Sequence, residues 1–189
     1  MGGDFAPRNI VEGALACIRD PRCDFNILLV GREDAIREHL PADLPSQLSI
    51  HHADEVVDMH DSISVAMKQK KQSSMYTSLE LHRDGEVHGF ISAGNTAAMM
   101  ALSTLILGRL PGVERPTIGT FLPSQKGPVL LIDAGANVDS KPSHLMQFGI
   151  MGSVFTEQMM SKATPRVGLL NVGEEEKRAT THPLKPGPC

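Results

Sequence analysis

Residues 127–160 read GPVLLIDAGANVDSKPSHLMQFGIMGSVFTEQMM, and this stretch decides the fold. Residues 129–132 form a short apolar run between Gly-Pro and an aspartate, which is typical of a buried strand. From Leu145 onward, apolar residues recur every three or four positions, as they do in a helix. A polar segment, residues 133–144, joins the two elements. Because open α/β sheets bind ligands beyond the carboxyl ends of their strands, we expect this segment to be the site.

The composition argues against several classes of function. The chain has 189 residues, a net charge of -4 and a pI near 6.0, which gives no basic surface for nucleic acid. No apolar run reaches the length of a membrane span, and the first residues lack a signal-peptide pattern. Three unevenly spaced cysteines favour a reduced, cytoplasmic setting.

Strands and helices alternate along the chain in the predicted secondary structure. Predicted helices cover residues 9–19, 33–40, 62–69 and 97–107, and predicted strands cover residues 25–30, 48–51, 87–92, 116–122 and 129–132. Such alternation predicts an α/β fold in which helices cover both faces of a mostly parallel sheet.

A second polar turn, residues 92–96 with the sequence SAGNT, joins a predicted strand to an apolar helix. Gly94 permits close backbone approach, while Asn95 or Thr96 is suited to cap the helix. The N–H groups at such a helix start bind phosphate or carboxylate well, although capping alone would also explain these residues. A third junction of this kind begins at residues 167–173.

Two charged segments have competing interpretations. Residues 51–61 hold three histidines among four carboxylates, but the spacing matches no standard metal site, so a solvated loop is favoured. In residues 68–75, three lysines precede two serines. A solvated basic helix end is favoured there over an anion site built from lysines and hydroxyls.

The sequence lacks the short motifs of common cofactor and nucleophile sites. There is no G-x-G-x-x-G dinucleotide motif, no phosphate-binding P-loop and no G-x-S-x-G nucleophile elbow. We therefore expect neither a cofactor nor a covalent intermediate.

Twelve short stretches, taken in order, resemble one family. They are MGGD (1–4), AP (6–7), KKQSSM (70–75), SAGNT (92–96), GT (119–120), KG (126–127), DAGANVD (133–139), KP (141–142), HL (144–145), QF (147–148), MG (151–152) and GLLNVGEE (168–175). The family is the bacterial PlsX-type phosphate acyltransferases of phospholipid synthesis, which the chain resembles over about residues 1–176.

The resemblance implies an activity, a fold and partners. It implies transfer of a fatty acyl group from acyl carrier protein to inorganic phosphate, giving acyl phosphate for phospholipid synthesis. It implies a cytoplasmic homodimer with peripheral membrane contact, acting ahead of a glycerol-phosphate acyltransferase. The implied fold is three-layer α/β/α, similar to phosphate acetyltransferases and isopropylmalate dehydrogenases.

The chain also departs from the family pattern. Family members have a strand ahead of the position of Met1, glycine in place of Ala97, and a substantial region beyond residue 176. We expect residues 1–176 to be a partial acyltransferase domain with about half of a site. The proline-rich residues 177–189 are expected to be a non-native or disordered tail.

Three residues of the polar segment are the candidates for catalysis. Asn137 would donate to the thioester oxygen, Lys141 would neutralise the phosphate, and His144 would act as donor or proton carrier. Each residue also has a structural explanation: Asn137 as a turn residue, Lys141 as a solvated side chain, and His144 as the start of the helix.

The remaining candidates would bind phosphate or order the site. They are Gly94, Asn95, Thr96, Lys126, Asp133 and Asp139. The two aspartates are expected to orient the lysines and the loop, because an unpaired carboxylate would repel phosphate.

Three other functions remain open. One is a short-chain phosphate acyltransferase that uses acyl-CoA, and a less favoured one is a dehydrogenase, for which the sequence offers no nicotinamide site. The third is a non-catalytic scaffold that docks on a membrane or a lipid enzyme through the apolar residues 97–110. A core helix is the favoured interpretation of that segment.

Overall fold

The computed structural model describes residues 1–135, 137 and 139–170. The chain divides into two compact units, Met1–Gly108 and Arg109–Cys189. The predicted boundary at residue 176 and the predicted tail lie outside the described residues.

The first unit contains helices and a small parallel sheet. Its elements are α1 (Arg8–Arg19), β1 (Ile27–Gly31), α2 (Glu33–Arg37), β2 (Leu48–His52), α3 (Ile63–Lys68), α4 (Ser74–Arg83) and α5 (Thr96–Ile106). Strands β1 and β2 pair in parallel, from Ile27 opposite Leu48 to Gly31 opposite His52. The connection between them contains α2, as a parallel crossover requires. The predicted strands at residues 25–30 and 48–51 are confirmed.

Two hydrophobic clusters hold the first unit together. One joins α1 to the parallel pair through Val11, Leu15, Leu29, Ile36 and Leu48. The other joins α3, α4 and α5 through Val57, Ala66, Met75, Leu79, Ala98 and Leu102. Ala98 and Leu102 of α5 are fully buried, so this part of the apolar segment is a core helix, as predicted.

One strand predicted in the first unit was wrong, and one helix was missed. Residues 87–92 form no strand; Phe90 packs against the helical cluster, whereas Ile91 is almost fully exposed. Strand geometry needs a neighbouring ladder, and no described residue supplies one there. Helix α4 was not predicted, because residues 68–75 were interpreted as a solvated basic helix end, with an anion site as the less favoured alternative. Ser73 is instead its N-cap and accepts a hydrogen bond from the Tyr76 N–H.

The second unit contains β3 (Gly119–Leu122), β4 (Val129–Ile132) and α6 (Pro142–Met160). The two strands pair antiparallel, from Gly119 opposite Ile132 to Leu122 opposite Val129. The prediction of a mostly parallel sheet is therefore wrong for this unit. The connection between β3 and β4 is a short turn without a helix, which is too short for a parallel crossover.

Strand β4 is less buried than its apolar sequence suggested. Val129 is exposed and Leu130–Ile132 are half-buried, because in the described part of the chain the hairpin has two strands and α6 packs against it. Helix α6 approaches β4 closely at Gly152, where a Cβ atom would lie 3.1 Å from Ile132 Cγ1. A larger residue at this position would push the helix away from the strand.

The described helices and strands establish an α/β fold. Residues 167–170, where a third strand–turn–helix junction was predicted to begin, have no regular structure, and residues 171–173 lie outside the described residues. Among the helices of the described residues, none combines the length and apolarity needed to cross a membrane.

Candidate functional site

The polar segment between β4 and α6 begins with a constrained turn at Asp133. This residue has a φ of 67°, in the left-handed region that L-amino acids rarely adopt. Its N–H and that of Ala134 both donate to the Ile118 carbonyl, at 2.9 and 3.2 Å. The start of the segment is thereby fixed to the residue that precedes β3.

The Asp133 carboxylate organises the rest of the segment. One oxygen accepts from Asn137 Nδ2 at 2.8 Å, and the other accepts from Ser140 Oγ at 3.1 Å. Asn137 Nδ2 also lies 3.4 Å from the Pro116 carbonyl. Asp133 therefore orders the loop from within, and the Asn137 amide group is directed at the protein. To donate to a substrate oxygen, this amide would have to give up the long contact to Pro116.

His144 is buried, with 4% of its surface exposed, and both ring nitrogens have partners. Nδ1 accepts the main-chain N–H of Lys141 at 3.2 Å, while Nε2 lies 3.0 Å from the Glu114 carboxylate. An N–H donor facing Nδ1 places the ring proton on Nε2, which then donates to Glu114. This arrangement holds the neutral imidazole with a defined tautomer at the start of α6.

An open cleft of about 500 Å³ lies beside this pair. Its lining includes three cationic side chains, Arg109, Arg115 and Lys141, together with the Glu114–His144 pair. Of these residues, Lys141 and His144 were predicted from the sequence and the others were not. Residues 109–115 resemble a solvated loop in sequence, and their proximity to α6 has no local signal.

Gln147 of α6 fixes this loop to the helix. Its Oε1 accepts the Glu114 N–H at 2.9 Å, and its Nε2 donates to the Gly112 carbonyl at 3.0 Å. Arg115 donates from a guanidinium nitrogen to the Asp139 carbonyl at 3.1 Å. The cleft is thus built from two segments that several hydrogen bonds hold together.

Lys126 lies away from this cleft. It belongs to the turn of the β3–β4 hairpin, whereas Asp133 follows the other end of β4. A strand of four residues separates these two ends by roughly 13 Å. The structure therefore brings Lys141, His144, Asn137 and Asp133 into one region, with the exposed Asp139 beside them, and leaves Lys126 outside it.

The second predicted turn, which contains Gly94, Asn95 and Thr96, belongs to the first unit. Asn95 has a left-handed backbone with a φ of 44°, and its Oδ1 caps α5 by accepting the Ala98 N–H at 3.0 Å. Its Nδ2 donates to the carbonyls of Asp58 and Asp61 at 2.8 and 3.1 Å. The buried Asn95 side chain thus uses its donors and acceptor within the protein, whereas Thr96 is exposed.

Gly94 is required by close packing in this turn. A Cβ atom at Gly94 would lie 2.2 Å from the Gly3 nitrogen, so no other residue fits without a backbone shift. The segment that begins MGGD therefore packs directly against the SAGNT turn. Both stretches belong to the set that carries the family resemblance.

Lys70, the central lysine of the less favoured anion-site interpretation, is paired with carboxylates. Its ammonium contacts Asp61 at 2.5 Å, Asp58 at 3.1 Å and the Val56 carbonyl at 2.7 Å. The hydrogen bond to Asp61 raises the pKa of Lys70, and the same bond lowers the pKa of the Asp61 carboxyl. This lysine is therefore neither a solvated helix end nor a phosphate ligand in this structure.

The histidine-rich loop gathers no candidate metal centre in the described ranges, where no three His, Cys, Asp or Glu side chains cluster. His52 instead contacts Asp54 at 2.8 Å and accepts the Glu33 N–H at 3.2 Å. These are local contacts that fix the end of β2.

Comparison with known proteins decides the family. A family model described as "Fatty acid synthesis protein" matches residues 1–185, nearly the whole chain. The chain belongs to this family. The match spans the sequence stretches noted above and extends over both structural units.

Curated relatives of this chain carry a more specific name. A "Phosphate acyltransferase" of Pelotomaculum thermopropionicum is 46% identical over 179 residues, covering 94% of this chain and 52% of that protein. A "Phosphate acyltransferase" of Desulfitobacterium hafniense is 44% identical, covering 97% of this chain and 56% of that protein. A "Phosphate acyltransferase" of Salinibacter ruber is 45% identical, covering 93% of this chain and 53% of that protein. The chain spans about half the length of the curated relatives it matches.

Proposed function

We propose that the whole protein transfers a long-chain fatty acyl group from acyl carrier protein to inorganic phosphate, forming acyl phosphate for phospholipid synthesis. The observation that carries this proposal is the 42–46% identity to proteins named phosphate acyltransferase, which covers more than nine-tenths of this chain. Lys141 and His144 line one cleft, and Asn137 lies in the same loop, bonded to Asp133; this arrangement supports the proposal further.

The chemistry is a displacement at a thioester carbonyl. A phosphate oxygen attacks the carbonyl carbon, and the carbonyl oxygen becomes an oxyanion. The tetrahedral intermediate then expels the thiolate, so a C–O bond forms, a C–S bond breaks, and the thiolate takes a proton from solvent. The protein must hold the phosphate near the carbonyl and stabilise the oxyanion with preorganised donors.

The polar segment supplies suitable groups for these tasks. Lys141 would neutralise the phosphate as a point charge, and Asn137 would donate to the oxyanion after releasing Pro116. His144 is held as a neutral ring by Lys141 N–H and Glu114, which favours a positioning role over that of a proton carrier. Asp133 would keep Asn137 in place.

The proposal also includes the remaining predicted phosphate-binding residues and the assembly of the whole protein. Gly94, Asn95 and Thr96 belong to the first unit and stay predicted phosphate ligands, with the Asn95 side chain already engaged in capping α5 and holding the 58–61 loop. Lys126 stays a prediction at the far end of the hairpin, and Asp139 contacts the cleft through its main-chain carbonyl, which accepts from Arg115. A three-layer fold, a homodimer, peripheral membrane contact and a downstream glycerol-phosphate acyltransferase extend the proposal to the whole protein.

The test is phosphate-dependent release of free thiol by the whole protein. Long-chain acyl carrier protein and acetyl-CoA are compared as donors, with and without phosphate. Faster release from the acyl carrier protein supports the proposal, and faster release from acetyl-CoA favours the short-chain alternative. If neither donor reacts while the protein binds lipid vesicles, the scaffold function replaces both enzyme proposals.

A further inference from the structure

We propose that Arg109 and Arg115, together with Lys141, form a binding site for a phosphate group in the cleft of the second unit. The three side chains come from two segments, the loop before β3 and the start of α6, and line the same cleft. The choice of a phosphate group as ligand rests on the proposed function. The presence of an anion site rests on the cleft itself.

The charge of the cleft fits a doubly charged oxyanion. Three cationic side chains face one carboxylate, Glu114, which leaves an excess of two positive charges while His144 is neutral. This excess equals the charge of a phosphate dianion. The carboxylate itself is turned toward the His144 ring at 3.0 Å, which reduces its repulsion of an incoming anion.

The donors of the cleft also suit phosphate. A guanidinium presents five N–H donors in a planar fork that matches the oxygens of a phosphate group. In the described part of the chain, Arg109 gives one hydrogen bond to the Glu114 carbonyl and Arg115 gives one to the Asp139 carbonyl. These bonds fix the direction of each guanidinium and leave donors on both for a ligand.

The cleft is held in shape before any ligand binds. Gln147 ties the Gly112 and Glu114 main chain to α6, and Arg115 ties the same loop to Asp139. The cleft of about 500 Å³ is much larger than one phosphate group, so there is room for a substrate on which the phosphate is carried. Preorganised donors reduce the entropic cost of binding.

Two sources of the phosphate group fit this chemistry. One is inorganic phosphate, the acceptor in the proposed reaction. The other is the phosphate of the pantetheine arm that carries the acyl thioester. Both place the anion beside Lys141, so the same residues would bind either source.

The test is calorimetric titration of the 189-residue chain with inorganic phosphate and, separately, with pantetheine 4′-phosphate in a phosphate-free buffer. Arg109→Gln and Arg115→Gln should each weaken binding about tenfold, the usual effect of losing one charge-assisted contact. Arg166→Gln removes an exposed arginine of the same unit outside the cleft and should leave affinity unchanged. The tighter of the two probes identifies the source.

Glu114→Gln should change the affinity for phosphate in the opposite direction. It removes a negative charge while keeping an acceptor for His144, so phosphate should bind several-fold more tightly. A merely damaged fold would not tighten binding, and matching circular dichroism spectra verify that each variant is folded. Unchanged affinity in the Arg109→Gln/Arg115→Gln double variant overturns the inference, as does an equal loss in Arg166→Gln.

Activity separates this inference from the proposed function. If the whole protein releases no thiol but the arginine variants still lose phosphate binding, the site stands and the proposed function fails. If turnover persists and the KM values for phosphate and for the acyl donor are unchanged in both arginine variants, the site is overturned and the proposed function stands.

Discussion

The His144 imidazole donates to the Glu114 carboxylate at 3.0 Å, and this buried contact joins the start of α6 to the loop before β3. The other ring nitrogen accepts the Lys141 N–H, so one side chain holds both walls of the cleft. The catalytic candidates and the arginines therefore depend on the same residue for their relative positions.

Replacing His144 should destabilise the second unit. His144→Ala removes two hydrogen bonds and leaves a small cavity beside Phe148, which should lower the free energy of unfolding by about 2 kcal/mol. Urea denaturation measures this change. The matched control, His60→Ala, removes an exposed histidine and should change the free energy by less than about 0.5 kcal/mol. Equal losses in both variants would contradict a structural role for His144.

Replacing Asn95 should destabilise the first unit. Two substitutions separate its role as a cap from its role as a hydrogen-bond donor. Asn95→Ala removes the α5 cap, both tethers to the 58–61 loop and a residue suited to the left-handed region. We expect a loss of about 3 kcal/mol in the free energy of unfolding. Asn95→Asp keeps the capping oxygen but loses the donors, so it should fall between wild type and Asn95→Ala. Thermal unfolding that ranks Asn95→Asp below Asn95→Ala would refute this division.

The Lys70–Asp61 pair should make stability depend on pH. Because the hydrogen bond from Lys70 lowers the pKa of Asp61, its contribution is present above the unfolded pKa of about 3.9 and is lost as pH falls through the folded pKa. Because the bond to Asp61 raises the pKa of Lys70, its contribution is present below about 10.4 and lost as pH rises through the folded value.

Asp61→Asn tests this dependence. At neutral pH the variant should lose about 1 kcal/mol in the free energy of unfolding, since the contact is mostly shielded from solvent. The difference from wild type should shrink in acid, where the wild-type carboxylate is protonated as well. The control Asp43→Asn, at an exposed loop position, should match wild type throughout. A difference independent of pH would show that charge plays no part.

Replacing Asn137 or Lys141 should lower acyl-phosphate formation by the whole protein. Lys141→Ala removes a cation from the cleft, and Asn137→Ala removes the proposed donor to the oxyanion. Each should reduce kcat/KM at least about tenfold, with the larger part in kcat for Asn137. Lys162→Ala removes an exposed lysine of the same unit outside the cleft and should retain wild-type rates. Unchanged rates in either test variant would remove that residue from the site.

Local sequence patterns predicted most helices and strands well. The apolar spacing after Leu145 gave α6, and the helix predicted over residues 62–69 corresponds to α3, which Ser62 caps. These features depend on residues within one or two turns of each other. The missed helix α4 had such a signal too, since Ser73 precedes Met75 and Leu79 at helical spacing. It was missed because residues 68–75 were interpreted as the end of the preceding helix or, less favourably, as an anion site.

Contacts between distant segments could not be predicted in the same way. Lys70 has acidic partners because the 58–61 loop folds back onto it, and nothing around residue 70 in the sequence specifies that path. The antiparallel pairing of β4 was predictable from the short turn that precedes it, but the regular alternation of elements suggested a crossover instead.

The sequence by itself determined the local elements, the polar segment at residues 133–144 and the family. The tertiary structure alone decided which side chains share a site: it placed Arg109, Arg115 and Glu114 beside Lys141, and Lys126 at the far end of the hairpin. The physical reason is that backbone periodicity and capping act over a few residues. A binding cleft instead depends on the hydrogen bonds and packing that join segments far apart in the chain.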